Sequence, residues 1–545
     1  SNEFTSSNST SSYFHLTRLC VPIYVRSVDQ ARRDAFVAVE RGAEMVELRL
    51  DALADDTLLD AESADFAAIV ELANRLIESN VKIILTMRPR NEGGKSDLDD
   101  ETRFDVLAGL AVRAPAWVDL EWRPMSRAGG WPMNFLELAA VTPVRTITSA
   151  HDFETRPNDL MQVFAEMSQS RADAAKVAWR ARSVRDNIEA FELLREAAKP
   201  SVVICMGEAG LPSRVLSKKF NAFLTFASLA DEDQTADGQV PVDVLKARFR
   251  WDAIKRSTKV YGVVGHPVAH SRSPHVHNAQ FDAIDHDGVY LPLLVEPGYE
   301  SFKAFMETWL RFEPLDLAGL SITLPHKENA LRYAKEIGGS VDATAERVGS
   351  VNTFTVHRND GEATIAAANT DLDAMVQTVR DGLGREVAGL SVGVLGAGGT
   401  GRTATAAFTA LGCDVTIYNR TAARAEALAE EFAATAARLA DVGKGVHDVW
   451  INTTSLGMAP NTAESPLGDI RPVMTDRTLV FDTIYTPAET TFLRNAREAG
   501  ARTVNGIPMF LHQAAAQSKL WTGNDVDLDV LRRAFDGSSG PATAD

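Results

Sequence analysis

The first half of the chain alternates short apolar runs with amphipathic segments, and this rhythm is the strongest constraint on its fold. The apolar runs between residues 19 and 229 read LCVPIYV, MVELRLD, KIILTMR, WVDLEW, RTITSAHDF, AAKVAWRA, SVVICMG and FLTFASL. Segments such as DQARRDAFVAVERGAE and ADFAAIVELANRLIESN separate some of these runs and have the spacing of amphipathic helices. Continuous apolar strands that alternate with helices predict parallel βα units, and eight units in about 240 residues predict a (β/α)8 TIM barrel.

Polar residues recur at one place in these runs, within a strand or at its C-terminal end. In a barrel the C-terminal ends of the strands converge on one face, where the active site is built. We therefore expect a single site on that face, and the residues that point to it are Glu47, Arg49, Arg88, Glu121, His151, Lys176 and Met206.

The second half predicts a two-part α/β unit that follows the helix-like segment VDVLKARFRWDAIKRS. The runs KVYGVVG, GVYLPLLV and LAGLSITLPHKE predict a mixed-sheet substrate domain, and GLSVGVLGAGGTGRTATAAFTALGCDVTIYNRT predicts the start of a Rossmann domain. The predicted boundaries are a disordered tail at 1–17, the barrel at 18–255, the substrate domain at 259–375 and 510–535, the Rossmann domain at 385–509, and a tail at 536–545.

Charge and cysteine content narrow the partners and the compartment. A formal net charge of −18 argues against nucleic acid and anionic membranes as partners. The cysteines lie far apart in apolar runs without a disulfide pattern, which favours a reducing compartment. The Ser-rich opening has no apolar core of a secretion signal. We predict small-molecule substrates and a cytoplasmic location, with a plastid as the alternative if a transit peptide has been removed; the sequence makes no prediction of the oligomeric state.

A G-x-G-x-x-G motif predicts a dinucleotide site. The apolar run SVGVLG precedes it and RTATAAFTALG opens a helix after it, which is the context that the motif requires. The glycines let backbone amides approach a pyrophosphate, and the helix N-terminus adds partial positive charge. The alternative is an ordinary βα turn. The predicted contacts of this turn are Gly396, Ala397, Gly398, Gly399, Thr400 and Gly401.

The residues after the second Rossmann strand favour NADP over NAD. An NAD site usually has Asp or Glu at this strand end, whereas this sequence reads VTIYNRTAAR. Arg420 can pair bidentately with a 2′-phosphate, and the alternative is that it is a solvated residue at a helix start. The predicted contacts here are Asn419, Arg420, Thr421 and Arg424.

Four histidines within GHPVAHSRSPHVHN raise the question of a metal site; they are His266, His270, His275 and His277. Pro267 interrupts the HxxxH spacing, and the last two histidines would point to different sides of a helix that begins near Ser273. We predict no metal. The hydroxyls of Ser271 and Ser273 beside that helix start are better suited to bind a carboxylate.

Residues 259–535 resemble shikimate dehydrogenase through the motifs GHPVAHSRSPHVHN, LSITLPHKE, GSVNTF, NTD, GAGGTGR, NRT, INTTSLGM, DTIYTPAETTFL and NGIPMFLHQAAAQ. The resemblance implies Lys327 and Asp371 as the catalytic pair and places Gly506 and Met509 near the nicotinamide. It implies substrate contacts from Ser271, Ser273, Thr323, Asn352, Tyr485, Gln513 and Gln517.

The chemistry of ketone reduction agrees with this pair. A hydride must come from NADPH and a proton must reach the developing alkoxide. Lys327 can hold or donate that proton while Asp371 orients it. Without this context, Lys327 would be interpreted as an ordinary surface lysine.

In the barrel, Lys176 and His151 are suited to imine chemistry. A neutral amine attacks a ketone to form a Schiff base, and an imidazole can then remove a proton from the neighbouring carbon and return one to a leaving hydroxyl. The result is loss of water from a β-hydroxy ketone. The alternatives are a structural pairing of Lys176 with Glu47 or Glu121, and a loop pair of His151 with Asp152.

Residues 18–255 resemble type I 3-dehydroquinate dehydratase through VELRLD, TMRPRNEGG, SAHDF, AAKVAW, ICMGEAGLPSR and DGQVP. The resemblance implies Lys176 as Schiff-base nucleophile, His151 as acid and base, and Glu92 as the residue that positions His151. It implies substrate contacts from Glu47, Arg49, Arg88, Met206, Arg214, Thr235 and Gln239. The family usually has Ser-Ala-Pro-Gly-Gln in the last loop, whereas this chain has TADGQ, and losing the proline predicts a looser loop.

Together the two resemblances imply a bifunctional enzyme that dehydrates 3-dehydroquinate to 3-dehydroshikimate and reduces this to shikimate with NADPH. One alternative is a quinate/shikimate dehydrogenase fusion that prefers NAD. The other is a non-catalytic regulator that binds these metabolites on the same folds.

Overall fold

The computed structural model describes residues 16–127, 138 and 141–537. Most of both predicted tails lies outside these residues. The chain divides into two compact units: the first comprises Ser1–Lys259, Asp287–Val295 and Glu307–Asp316, and the second comprises Val260–His286, Glu296–Met306 and Leu317–Asp545.

The first unit contains the predicted barrel. Its strands are β1 (Arg18–Tyr24), β2 (Met45–Arg49), β3 (Lys82–Thr86), β4 (Trp117–Glu121), β5 (Arg145–Asp152), β6 (Ala174–Arg180), β7 (Ser201–Met206) and β8 (Leu224–Phe226). They form one parallel sheet in the order β7-β6-β5-β4-β3-β2-β1-β8. The amide of Phe223 donates to Ser201 O at 2.8 Å, which brings the two edge strands together. The predicted TIM barrel is confirmed.

Helices follow the strands and bury their apolar sides against the sheet. They are Val28–Glu40, Ala64–Glu78, Asp100–Arg113, Trp122–Arg127, Leu160–Gln169, Asp186–Glu196 and Leu211–Val215. The first begins at a capping box, in which Ser27 and Gln30 satisfy each other's backbone amides. Its alanines 31, 35 and 38 are buried, as its spacing predicts.

The segment 242–257 is not the continuous helix that its pattern predicts. It forms a short π-helix, Val244–Arg248, and a single 3-10 turn, Trp251–Ala253. Arg250 between them has a left-handed φ of 52°, which interrupts helical hydrogen bonding. Its guanidinium donates to the carbonyl of Gly288, so a tertiary contact overrides the local preference.

The mixed sheet has the order β10-β9-β11-β13-β14-β12. Its strands are β9 (Lys259–Gly265), β10 (Gly288–Leu294), β11 (Leu317–Ile322), β12 (Ser340–Val341), β13 (Thr353–Asn359) and β14 (Glu362–Ala368). β9 and β11 are parallel, whereas β13 is antiparallel to both β11 and β14. The helices of this region are Ser273–Ala283, Tyr299–Arg311, Lys327–Glu336, Ala343–Val348 and Asp371–Leu383.

The last sheet is parallel, with the order β17-β16-β15-β18-β19-β20. Its strands are β15 (Ser391–Leu395), β16 (Asp414–Asn419), β17 (Thr435–Arg438), β18 (Val449–Asn452), β19 (Leu479–Asp482) and β20 (Arg502–Val504). Numbered from its own first strand this is the order 3-2-1-4-5-6 of a Rossmann fold, with its crevice beside β15. The helices are Gly399–Ala410, Ala422–Phe432, Thr491–Glu498, Ile507–Thr522 and Leu528–Gly537.

Within the described residues, the helices are all too short or too polar to cross a bilayer.

Candidate active sites

A cavity lies in the barrel. Every barrel residue that the resemblance implies as catalytic or substrate-binding lines it: Glu47, Arg49, Arg88, Glu92, His151, Lys176, Met206, Arg214, Thr235 and Gln239. Alternation along each strand explains the convergence, since residues two apart share a face. Residues on neighbouring strands also meet in register, as Ser149 on β5 does with Lys176 on β6.

Lys176 is buried and held by a carboxylate that the sequence analysis did not single out. Its Nζ donates to Asp119 Oδ2 at 3.1 Å, and Glu47 Oε1 lies 3.8 Å away. The ring of Phe226 covers the ammonium at 4.5 Å from the ring centroid. Glu121, offered as a structural partner of this lysine, instead accepts from Arg88 and Arg103.

Arg88 organises the acidic side of the cavity. Its guanidinium donates to Asp119 Oδ2 at 2.8 Å, to Glu121 Oε1 at 2.9 Å and to Ser149 Oγ at 2.8 Å. Burial raises the pKa of Asp119, but the charges of Arg88 and Lys176 outweigh it and hold that pKa well below its ordinary value. Asp119 is therefore a permanent negative charge beside the lysine.

His151 is a neutral base at physiological pH. Burial first, and then the charges of Arg88 and Lys176, lower its pKa well below the ordinary value. Its Nδ1 lies 3.1 Å from Glu92 Oε2, which leaves Nε2 available for proton transfer. Burial raises the pKa of Glu92 to about 7, although the nearby Arg88 opposes the shift.

Arg214 is the cation that the cavity offers to a ligand. Burial lowers its pKa to about 10, so it stays charged at neutral pH. Its Nη2 donates to the backbone oxygen of Asp237 at 3.2 Å, whereas its buried Nε has no hydrogen-bond partner among the described residues. Arg49, by contrast, is paired with Asp51 at 2.8 Å, and Arg88 is engaged by carboxylates. The geometry therefore favours Arg214 over Arg88 as the main partner of an anionic group.

Thr235 and Gln239 enter the cavity wall from the loop after β8. Gln239 Nε2 donates to Thr235 Oγ1 at 3.0 Å, and the amide of Thr235 donates to Gln239 Oε1 at 3.0 Å. This reciprocal pair fixes the two side chains relative to each other.

In the second unit, Lys327 and Asp371 meet directly. Lys327 Nζ donates to Asp371 Oδ2 at 2.6 Å, and both residues are the first of their helices. The lysine side chain is 31% exposed and the aspartate side chain 12% exposed, so the ammonium is within reach of a ligand. The pair that the resemblance implies is thus assembled.

Some of the other substrate residues implied by the resemblance lie in loops or are partly buried. Thr323 follows β11 and its amide donates to Val264 O of β9 at 2.9 Å, so the loop of Ser271 and Ser273 leaves the sheet beside it. Tyr485 is partly buried against the ring of Phe510, 5.3 Å away between centroids.

Asn352 and Gln517 are buried and bonded to the protein framework. Gln517 accepts from Ser321 at 2.8 Å and donates to the Asn352 carbonyl at 3.0 Å. The side chain of Asn352 exchanges hydrogen bonds with Thr370, whose hydroxyl also donates to Gln513 O at 3.3 Å. Their role as direct substrate contacts stays a prediction.

His277 and His266 have separate surroundings. His277 is buried, with Nδ1 3.0 Å from Ser518 Oγ, and burial lowers its pKa to about 3. His266 lies on the surface 3.5 Å from Glu296. In the part of the chain that the structure describes, no group of three or more His, Cys, Asp or Glu side chains is arranged to hold a metal ion.

The Gly-rich turn has the shape of a phosphate cradle. A Cβ at Gly401 would lie 2.3 Å from Gly396 O, so the tight turn needs glycine there, whereas a Cβ at Gly398 or Gly399 would meet no described atom within 4 Å. The open side of the turn thus faces free space at the start of the helix Gly399–Ala410. A pyrophosphate fits this arrangement.

The end of β16 supplies positive charge beside the turn. Arg420 and Arg424 are exposed, as is Arg438, which pairs in register with Asn419 and which the sequence analysis did not single out. On the other side, a Cβ at Gly506 would lie 2.1 Å from Thr483 O, and Met509 packs against the core of the parallel sheet. The residues present fit a dinucleotide with a 2′-phosphate.

Family models match most of the chain. Residues 19–256 match "Type I 3-dehydroquinase", 263–354 match "Shikimate dehydrogenase substrate binding domain", 379–463 match "Shikimate / quinate 5-dehydrogenase" and 506–534 match "Shikimate 5'-dehydrogenase C-terminal domain".

Known proteins are similar in sequence to one or both halves of the chain. The bifunctional 3-dehydroquinate dehydratase/shikimate dehydrogenase of Arabidopsis thaliana, named as chloroplastic, is 34% identical over 93% of this chain and 82% of its own. The NADP(+) shikimate dehydrogenase of Methanothermobacter thermautotrophicus is 37% identical over 52% of this chain and 97% of its own. The crystal structure of shikimate 5-dehydrogenase from Thermus thermophilus with NADP(H) and shikimate is 30% identical over 52% of this chain and 100% of its own, with a TM-score of 0.45.

Proposed function

Since the chain belongs to the family of bifunctional 3-dehydroquinate dehydratase/shikimate dehydrogenases, we infer which of its residues carry each of the two reactions. The enzyme is a lyase and an NADP-dependent oxidoreductase of the shikimate pathway. We assign the dehydration to the barrel cavity and the reduction to the Lys327–Asp371 pair.

Dehydration begins at Lys176. The ammonium first gives a proton to His151, and the resulting neutral amine attacks the substrate ketone. The carbinolamine hydroxyl takes that proton back and leaves as water, which gives a protonated imine that draws electrons from the adjacent carbon. His151 Nε2 removes a proton from that carbon and then delivers it to the β-hydroxyl, which leaves as water. Hydrolysis of the conjugated imine releases the product and restores the amine. The observation that supports this assignment is the presence of Lys176, His151 and Glu92 in one cavity wall.

Asp119 extends the set implied by the resemblance. Because it keeps its negative charge 3.1 Å from Lys176 Nζ, it stabilises positive charge on that nitrogen, first as ammonium and then as iminium. Glu92 accepts the Nδ1 hydrogen of His151 and so fixes the tautomer whose Nε2 is the base. Arg214 binds the substrate carboxylate, because its buried Nε has no partner among the described residues.

Reduction takes place at Lys327. NADPH, when bound, supplies the hydride. Lys327 Nζ donates a proton to the oxygen that becomes the new hydroxyl, and Asp371 holds the ammonium in position through its 2.6 Å hydrogen bond. Ser271, Ser273 and Thr323 bind the substrate carboxylate from loops that leave neighbouring strands.

NADP is held by the glycine turn and the end of β16. The backbone at Gly398 and Gly399 receives the pyrophosphate, and Arg420 with Arg424 receives the 2′-phosphate. The exposed arginines and the absence of a carboxylate at Asn419 or Arg420 disfavour the NAD-dependent quinate alternative. Assembled catalytic groups in both units disfavour the non-catalytic regulator.

The predicted domain boundaries and a cytoplasmic location are part of this proposal. The location is supported by the free, buried cysteines, Cys20, Cys205 and Cys413. The Arabidopsis relative named as chloroplastic supports the plastid alternative.

Single-site variants of the full chain test the assignment. Lys176→Ala should abolish dehydration of 3-dehydroquinate and leave NADPH oxidation by 3-dehydroshikimate intact, and Lys327→Ala should do the reverse. Joint loss of both activities in either correctly folded variant would refute independent sites.

A further inference from the structure

The loop after β8 carries Thr235 and Gln239, and it departs from the family pattern at its tip. The bond between Ser228 N and Val240 O, 3.0 Å, and that between Val242 N and Ser228 O, 2.9 Å, fix the base of this loop. Between these points the chain reads LADEDQTADGQ, with Asp237 at the place where the family usually has proline. The question is what replaces the rigidity of proline.

The tip of the loop docks on the C-terminal end of β7. The amide of Gly207 donates to Asp237 O at 3.1 Å, and Arg214 donates to the same oxygen at 3.2 Å. Gly238 has a φ of 77°, and a Cβ there would lie 2.5 Å from Gly207 O, so the two backbones are in close contact. The position of the loop tip therefore depends on these backbone contacts with Gly207 and on the bond from Arg214.

Arg180 supplies a side-chain bond at this docking point. Its Nη1 donates to Asp237 Oδ2 at 2.8 Å. Arg180 ends β6, the strand of Lys176, and it pairs in register with Met206, directly before Gly207. The loop tip is thus attached to two adjacent strand ends, and to β6 through opposite charges.

We propose that Arg180 and Asp237 are positioning residues for the dehydration reaction, which hold the loop so that Thr235 and Gln239 complete the cavity wall. This inference rests on the proposed location of the dehydration site in the barrel. Neither residue lines the cavity, so they act through the loop and not on the reacting atoms. In this chain an ion pair attaches the loop at the position where the family resemblance implies proline.

The ionic nature of the bond gives it a signature that a purely steric attachment lacks. The two side chains are 50% and 53% exposed, so salt screens their attraction. An exposed pair of this kind changes an equilibrium about two- to fivefold. Breaking it should raise the KM for 3-dehydroquinate by about that factor at low salt, with kcat nearly unchanged, because Lys176 and His151 are untouched.

The test is a double-mutant cycle in the full chain, with Arg180→Ala, Asp237→Asn and the double variant, measured at about 10 mM and about 1 M salt. We expect each single variant to raise KM about two- to fivefold at low salt, the double variant to add nothing further, and all differences to vanish at high salt. Arg180→Lys keeps the positive charge and should therefore have a KM for 3-dehydroquinate close to that of the wild type. Reduction of 3-dehydroshikimate, measured in the same samples, should not change.

A matched control exists at the N-terminal end of β5, the strand next to β6. Arg145 begins β5 and pairs with Asp173 at 2.7 Å, with its side chain 63% exposed. Arg145→Ala removes another exposed, ion-paired cation and should not alter KM. Additive effects in the cycle, an unchanged KM at low salt, or the same change in Arg145→Ala would overturn the proposal. Lys176→Ala distinguishes failure of this proposal from failure of the proposed function. If that variant keeps its dehydratase activity, the proposed location of the dehydration site is wrong.

Discussion

Lys176 Nζ lies 3.1 Å from Asp119 Oδ2 inside the barrel cavity. Arg88 donates to the same carboxylate oxygen at 2.8 Å, so the buried aspartate is shared by two cations. An amine in this position is held in place before a ketone arrives, and the carboxylate remains beside it when it becomes an iminium. The negative charge of Asp119 therefore acts on the same nitrogen before and after the imine forms.

Asp119→Asn should reduce kcat for dehydration about 100-fold, because the iminium loses a preorganised negative charge. KM should change less, since Arg214 still binds the carboxylate. Steady-state kinetics at constant salt measure this. Asp97→Asn, which neutralises an exposed partner of Arg90, serves as the control. A kcat within twofold of the wild type would show that Asp119 is only a structural partner of Arg88.

The acid limb of the dehydration profile should report Glu92. Its pKa is raised to about 7, so it loses the carboxylate form that accepts from His151 as the pH falls through about 7. The rate should therefore fall below neutrality, although the pKa of His151 itself is far lower. Glu92→Gln should have a lower plateau and no such limb. A limb at the same pH in Glu92→Gln would assign it to another group.

Burial of Asp482 should make the second unit less stable as the pH rises. Its pKa is raised to about 6 in the folded protein from the ordinary 3.8, so the folded state binds this proton more tightly than the unfolded state. The associated stability is present below about pH 4 and is lost as the pH rises through about 6, by about 3 kcal/mol in total.

Asp482→Asn removes this titration and keeps an oxygen that accepts from Asn452, while its amide nitrogen can donate to the Thr490 hydroxyl, which is the donor in the wild type. Relative to the wild type, the variant should gain resistance to urea between pH 4 and 7, measured as loss of shikimate dehydrogenase activity. A difference between the two proteins that does not vary with pH would contradict the assignment.

Arg420→Gln should raise the KM for NADPH about tenfold or more and leave the KM for NADH nearly unchanged, because only the 2′-phosphate loses a bidentate partner. Arg471→Gln changes another exposed arginine of the same unit and should affect neither. Equal increases for both cofactors would mean that Arg420 does not read the 2′-phosphate.

The sequence predicts the architecture well because strand and helix periodicities are local. Polar residues in otherwise apolar strands, such as Lys176 in AAKVAW, indicate the barrel site for the same reason. Asp119 carried the same signal: in WVDLEW it lies two residues before Glu121 and thus on the same face, but only the latter was singled out.

Other features depend on long-range contacts that no local pattern shows. Arg180 and Asp237 are 57 residues apart in sequence, and their pairing follows from the path of a loop. The missing proline alone predicts a looser loop, whereas the ion pair attaches the loop tip to the end of β6. Likewise, the broken helix at 242–257 results from a tertiary contact of Arg250, which its helical spacing could not reveal.

Borohydride trapping with 3-dehydroquinate, followed by peptide mass spectrometry, tests the central assignment most directly. The barrel offers a second buried lysine as an internal control: Lys219 is bonded to the Arg256 and Thr258 carbonyls and to Asp316. We predict a reduced adduct on Lys176, loss of dehydratase activity in proportion to it, unmodified Lys219 and retained NADPH oxidation. Complete inactivation of the dehydratase with Lys176 unlabelled, or equal labelling of Lys176→Arg enzyme, would contradict the account.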